Sequence, residues 1–205
     1  NTVYPDLGNE YCTEDIECQS PNIYPVYKAV GNMKRYGETL CDFLSNHIHN
    51  PMQCVILRPS NAYGPNDKYD YEKCHVTPAN IRKVADGLNP IPVWGDGTEL
   101  RDLLYIGDFV EALQVIMENE TEMFEVYNVG SNKVYSVLEV LDIMKGIANY
   151  TAPTEFIKGK PSMIPTRRID SNKIKEKLGW EAKTSLTTGL AIAYNWYKEH
   201  KNEFN

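Results

Sequence analysis

The chain has 205 residues, a net charge of −7 and a pI near 5.2, with 24% charged residues, 42% hydrophobic residues and a mean hydropathy of −0.46. That length buries one substantial core, or a core with a small lobe, and the acidic balance excludes a general affinity for nucleic acid, so any bound phosphate must be met by a few placed cations. No apolar run is long enough to cross a bilayer, and the five cysteines, an odd number without a CxxC pair, fit a reducing, cytoplasmic compartment and offer no metal site.

In chain order, Asn1-Thr-Val-Tyr-Pro5 reads as a strand end that begins abruptly, as a chain continuing upstream would, and Asp6 to Asn22 is rich in the polar and turn residues of a loop. Val30, Met33, Gly37, Leu40, Cys41, Leu44 and Ile48 recur at spacings of three and four. This predicts a helix over 30–48 that docks on a core through that stripe, with Lys34, Arg35, Glu38, Asp42 and Asn46 facing elsewhere. Tyr24, Tyr27 and Lys28 stand at its entrance, and Lys34 lies one residue from the stripe. Gln53 to Arg58 is a short apolar run of the kind found in a buried parallel strand; Pro59 ends it, and Ser60-Asn-Ala-Tyr-Gly-Pro65 makes the turn above its carboxyl end.

A helix followed by a buried strand with a loop at its end is the pattern of a doubly wound α/β sheet, where ligands sit at the carboxyl edge. That places Asn61, Tyr63 and His75 near a site. Thr77 to Leu88 then reads as a helix with Pro78 in its first turn, Ile91 to Trp94 as a strand, and Gly95-Asp-Gly97 as a turn. Leu103 to Ile106 leads into Asp108, read as the N-cap of a helix from Phe109 to Met117. Val126 to Val129 is a further buried strand, and Val137 to Ala148 and Leu186 to His200 are further helices.

Several of these pieces fall in a recognisable order: Tyr4 before Pro5, Lys34-Arg-Tyr-Gly-Glu-Thr-Leu-Cys41, Arg58-Pro-Ser-Asn-Ala-Tyr-Gly-Pro65, Val93-Trp-Gly-Asp-Gly97 with Arg101-Asp-Leu-Leu-Tyr-Ile-Gly-Asp108, Tyr127-Asn-Val-Gly130 and Leu178-Gly-Trp180. Together they resemble the extended short-chain dehydrogenases/reductases, the nucleotide-sugar epimerases, dehydratases and reductases. Cys74-His-Val-Thr-Pro78 and Ser185-Leu-Thr-Thr-Gly-Leu190 are most similar to the GDP-L-fucose synthase branch. The resemblance implies an α/β chain: the C-terminal half of a doubly wound Rossmann-type parallel sheet interleaved with a small α/β substrate-binding lobe. Residues 1–74 and 103–130 would belong to the nucleotide fold, and 75–102 and 131–205 to the lobe.

The resemblance further implies NAD or NADP as cofactor, a nucleoside-diphosphate sugar as substrate, and a homodimer formed through the 30–48 helix. Lys34 takes the place of the family lysine that turns a tyrosine four residues earlier into a proton carrier, but that earlier position is Val30. Tyr27, two turns before Lys34, is the replacement expected here. His75 stands at the acid position, while Thr2 stands where a fucose synthase has its cysteine, and a threonine is a poor carbon base. Lys34, Pro59 and Asn61 are implied at the cofactor, and Asn61, Lys83, Trp94, Arg101, Arg167 and Arg168 at the substrate. The G-x-x-G-x-x-G turn that lays a dinucleotide on a helix N-terminus occurs nowhere in the sequence. The reading that competes with an enzyme is a sugar-nucleotide-binding module whose catalysis has degenerated, which Val30 and Thr2 both permit.

Overall fold

A computed structural model describes residues 1–16, 23–71, 73–159 and 163–204; the cysteine at position 18 and the end of the expected 6–22 loop lie outside them. Within that loop a two-residue strand, β1 (Tyr11–Cys12), forms by pairing with a later strand. A 3₁₀ turn, Pro25–Tyr27, leads into α1 (Lys28–Asn46). The entrance is irregular because Pro25 supplies a fixed φ but no N–H, which suits a first turn and not a helix interior.

There follow β2 (Cys54–Pro59), β3 (Asn61–Tyr63), α2 (Val76–Ala85), β4 (Ile91–Trp94), β5 (Leu100–Tyr105), α3 (Ile106–Asn119) and β6 (Phe124–Val129). The chain continues through β7 (Val134–Ser136), α4 (Val137–Ala148), β8 (Thr154–Ile157), β9 (Thr166–Ile169), α5 (Asn172–Leu178) and α6 (Leu186–His200). The parallel α/β character expected from the sequence is present. β2 pairs in parallel with β6 from Cys54–Phe124 to Pro59–Val129. A second sheet runs β1-β9-β5-β3, all parallel, with β7 antiparallel on β5, and β4 and β8 form a parallel pair of their own.

Among the described residues a smaller apolar core joins Val3 and Tyr4 to Cys12 and Ile169, and two larger ones organise these elements. One gathers Ile81 and Val84 of α2, Leu141 and Met144 of α4, and Leu190, Ala193 and Tyr197 of α6 around β4 and β5. The other packs Ala112 and Ile116 of α3 with Ile174 of α5 and Trp180 against Tyr127 and Val129 of β6. β3 begins two residues after β2 ends, so the carboxyl end of the β2–β6 pair adjoins the start of β3 on β5, and the candidate site is built there.

Three expectations are corrected. The stripe on α1 docks only in part: Met33 is 73%, Leu40 43% and Val30 39% exposed, as are Tyr36 and Phe43 beside it, while Gly37, Cys41, Leu44 and Ile48 are half-buried. The inward face is instead Gly31 and Ser45, with Arg35 donating to the Val3 carbonyl and Glu38 pairing with Arg58. Periodicity reports that a helix has an apolar side, not which neighbour covers it. Asp108 is not the N-cap of α3. The helix starts at Ile106 after Tyr105, and the buried Asp108 carboxylate accepts from the Thr184 N–H and hydroxyl, tying α3 to the approach of α6. Finally, Asn61 to Tyr63, read as a turn, is a strand in register with Leu103 to Tyr105.

Candidate active site at the carboxyl edge

Segment 1–4 runs beside the end of β2, where the Asn1 carboxamide donates to the Pro59 carbonyl at 3.2 Å. α1 passes directly beneath. A Cβ at Gly31 would stand 2.5 Å from the Thr2 carbonyl and 3.2 Å from Ile23, so only glycine permits this approach. Thr2 Oγ1 is buried there without a partner. Lys34 follows Gly31 by one turn, and Tyr27 precedes it by one, so the three share a face of the helix. Lys34 is exposed, Tyr27 is half-buried with its ring 6.0 Å from that of Tyr24, and no hydrogen bond joins Tyr27 to Lys34.

On the adjoining strand, Asn61 donates to the Asp102 carbonyl at 3.0 Å, which fixes the first residue of β3 against β5. The Asp102 carboxylate accepts from the Ser131 N–H and hydroxyl and the Asn132 N–H, although burial pushes its pKa up. This clamps the loop after β6 to β5 below the site. Arg101, the neighbour of Asp102, lies opposite Tyr135 and Arg167 in the sheet and donates to the carbonyls of Leu100 and Pro165. Burial lowers its pKa, and the phenols of Tyr27 and Tyr24 are near enough to oppose that effect. Thr2 thus lies against the α1 face that carries Lys34 one turn on, and Tyr27, one turn before Gly31, is near Arg101.

The remaining named residues are distributed more widely. His75 is exposed at the N-cap of α2 and makes no side-chain cap. Lys83 donates its ammonium to the Pro92 carbonyl at 2.7 Å, and burial lowers its pKa. Trp94 ends β4 at 57% exposure. Arg167 is 4% exposed and gives its guanidinium to the Pro5 carbonyl and Cys12 Sγ. It thus holds the 5–12 segment against β9 and does not face the cleft. Arg168 lies over the Tyr11 ring at 5.5 Å. Pro59 closes β2 beside Asn1. Several buried polar groups were passed over in the sequence, Asp102, Asn128 and Asn80 among them; the signal of Asn80 was an amide on the inward stripe between Thr77 and Val84 of α2.

The model for the NAD dependent epimerase/dehydratase family matches residues 2–130. The chain belongs to that family. Among curated relatives of this epimerase/dehydratase chain, a putative GDP-L-fucose synthase from Arabidopsis thaliana is 34% identical over 97% of the chain and 60% of the relative. The GDP-L-fucose synthase of Escherichia coli is 27% identical over 98% of the chain and 65% of the relative. The chain therefore spans about three fifths of the length of such relatives. Of solved structures, UDP-glucuronic acid 4-epimerase from Bacillus cereus, in complex with UDP-glucuronic acid and NAD, superposes with a TM-score of 0.79 at 26% identity, covering 97% of the chain and 59% of that structure.

The residues present fit the nicotinamide end of an NAD-type cofactor. An unpaired buried hydroxyl, Thr2 Oγ1, and an exposed ammonium, Lys34, flank the end of β2 on the face that Gly31 keeps narrow. They do not supply the glycine-rich cradle for its pyrophosphate, which the sequence lacks.

Proposed function

We propose that this chain is the catalytic and substrate-binding part of a nucleotide-sugar epimerase or reductase that acts at C4 of a nucleoside-diphosphate hexose, in the manner of a GDP-L-fucose synthase. What supports the reading is the placement of Thr2 beside the end of β2 against the α1 face that carries Lys34, with Tyr27 one turn before Gly31 and near Arg101. NAD or NADP, when bound, supplies and takes back the hydride. Lys34 and Asn61, with Pro59 beside them, hold the nicotinamide end, and the Lys34 charge favours the phenolate of a nearby tyrosine.

Tyr27 takes the proton at the sugar O4, and the Thr2 hydroxyl holds that oxygen by a hydrogen bond. His75 exchanges protons at C3 or C5. Arg101 grips the diphosphate with a planar fork of donors, while Lys83, Trp94 and Arg168 border the rest of the nucleotide. The exposed row Val30, Met33, Tyr36, Leu40 and Phe43 supports a homodimer through α1, since so long an apolar face is costly in water.

Val30 in the tyrosine position, and a Lys34 without a bonded phenol, favour the second reading, a sugar-nucleotide-binding module without catalysis. One experiment separates the two. Full-length protein is mixed with nucleoside-diphosphate hexoses and NAD or NADP, and products are followed by nicotinamide absorbance and sugar NMR. C4 inversion or reduction establishes the enzyme, whereas saturable binding with an unchanged sugar establishes the module.

A further inference from the structure

β2 has two unlike faces. Val55 and Leu57 pack into the core that α3 and α5 share, so Cys54, Ile56 and Arg58, which alternate with them, face the other way. That side is covered by α1, because Arg58 pairs there with Glu38. Two turns further along the helix, the Ser45 hydroxyl donates to the Met52 carbonyl and the Met52 N–H to the Leu44 carbonyl. These ties set helix and strand running in opposite senses. Cys41 stands between them on the helix, one turn after Glu38 and one turn before Ser45, and Cys54 stands between them on the strand, after Met52 and before Arg58. The two thiols therefore meet where α1 covers β2. Burial pushes the Cys41 pKa up, and the Cys54 thiol beside it, through its charge and a hydrogen bond, pushes it further. Both cysteines are free and half-buried, and among the described residues neither joins an apolar core. Cys12, by contrast, is buried beside the Arg167 guanidinium.

We propose that Cys41 and Cys54 are a redox modification site, a dithiol that a small-molecule disulfide of the glutathione class oxidises to a staple between α1 and β2. The thiolate of one cysteine attacks a sulfur of the small disulfide, so that a bond to the protein forms, the small S–S bond breaks, and one thiolate leaves and takes up a proton. The second cysteine gives up its proton, attacks the first protein sulfur, closes Cys41 to Cys54 and expels the other small thiol. Two protein thiols have then lost two electrons and two protons, and the small disulfide has gained both. Partial exposure gives the oxidant access to the first sulfur, and adjacency supplies the second. A raised pKa leaves little thiolate near neutral pH, so the first attack is slow and the link forms where such disulfides accumulate. The staple closes the short stretch from Cys41 to Cys54, which restrains the unfolded chain and ties α1 to the strand it covers.

The test uses the folded, full-length protein, freed of reductant and incubated with oxidised glutathione, after which free thiols are blocked with N-ethylmaleimide and tryptic peptides are weighed. Cleavage at lysine and arginine leaves Cys41 and Cys54 on one peptide with no other cysteine, so the link reads as that peptide two hydrogens lighter and without maleimide. Cutting after Phe43 with chymotrypsin should then give two peptides that separate only in dithiothreitol. This form should predominate over glutathione adducts and over links to Cys12, Cys18 or Cys74. It should melt about 5 °C or more above the reduced protein, the scale expected for closing so short a loop. Cys41→Ser and Cys54→Ser should each show neither link nor shift and carry one adduct on the cysteine that remains; alanine replaces serine if the variant melts lower before oxidation. A folded parent whose two cysteines stay free, end as separate adducts or link elsewhere would overturn the inference. A Cys41–Cys54 link without a rise in melting temperature would overturn its role as a staple.

Discussion

The Arg58, Tyr4 and Asn128 side chains form a buried network in which each has its partners, whereas Thr2 and Asn80, at the carboxyl edge and in a cavity beside it, have hydroxyl and amide groups with none. Arg58 forms a fork with both Glu38 oxygens at 2.9 and 2.7 Å and also donates to the Tyr4 hydroxyl. That hydroxyl donates to Asn128 Oδ1, and the Asn128 amide donates to the Cys12 and Asp170 carbonyls. Burial pushes the Tyr4 pKa up and keeps its phenol neutral. A network this complete bonds β2, α1, β6 and the first residues to one another and leaves no atom for a ligand. Thr2, two residues from Tyr4, and Asn80, on another helix, have polar atoms that nothing in the chain answers. Buried polar groups of the first kind hold a fold, and those of the second kind contribute no bond of their own to it.

The largest effect should come from breaking the closed region. Glu38→Gln leaves the Arg58 guanidinium, 7% exposed, without its counter-charge. A buried ion pair deprived of one partner loses about 3–5 kcal/mol, so denaturant unfolding of the full-length protein should show a loss of that order. An unchanged midpoint would mean that the two regions do not differ as described.

At the open region the expected losses are in activity, not stability. Tyr27→Phe should slow turnover by about a hundredfold or more, the scale of a lost general acid, with an unaltered melting temperature. Full turnover in that variant would assign the proton to another group. Arg101→Ala should raise the dissociation constant for a nucleotide sugar by more than about tenfold, because a charge-assisted fork is lost, while the fold loses only two hydrogen bonds to carbonyls. A large fall in melting temperature with intact binding would move Arg101 to the closed region.

The smallest effect is electrostatic and lies on β6, three residues from Asn128. Burial opposes ionisation of Glu125, yet the ammonium groups of Lys173 and Lys177, each at 2.5 Å, hold its pKa down to about 2. Its folded value is below that of a free glutamate, about 4.3, so the stabilisation is complete above that pH and is lost as pH falls through about 2. Glu125→Gln should flatten the melting temperature over this window and leave the acid titration of the rest of the protein as it was. An identical acid profile in parent and variant would show that the pair contributes nothing.

Much of the fold was legible where local chemistry and burial agree. The bounds of α4 and α6 were read from the sequence as they stand in the structure, because Ser136 with Glu139 makes a capping box and Ser185 caps its helix, each just before an apolar period. β4 was read to the residue, closed by the Gly95 turn. β7, β8, β9 and α5 were not singled out, being short and defined by pairing with distant strands. Arg35, Glu38 and Arg58, part of the motif order that carried the family resemblance, are the ones that bond α1 and β2 into the fold.

The sequence by itself determined the α/β class, the order of the main helices and strands, and the family signature, because these follow from periodicity, caps and motif spacing within a few residues. Only the tertiary structure decided which face of α1 turns inward, that Arg167 serves the 5–12 segment, that Asp108 answers Thr184, and that Asn80 is buried with nothing to bond. Those outcomes depend on what lies opposite each side chain across tens of residues, and an amide or a guanidinium carries no mark in the sequence of whether a carbonyl, a carboxylate or an empty space will stand there.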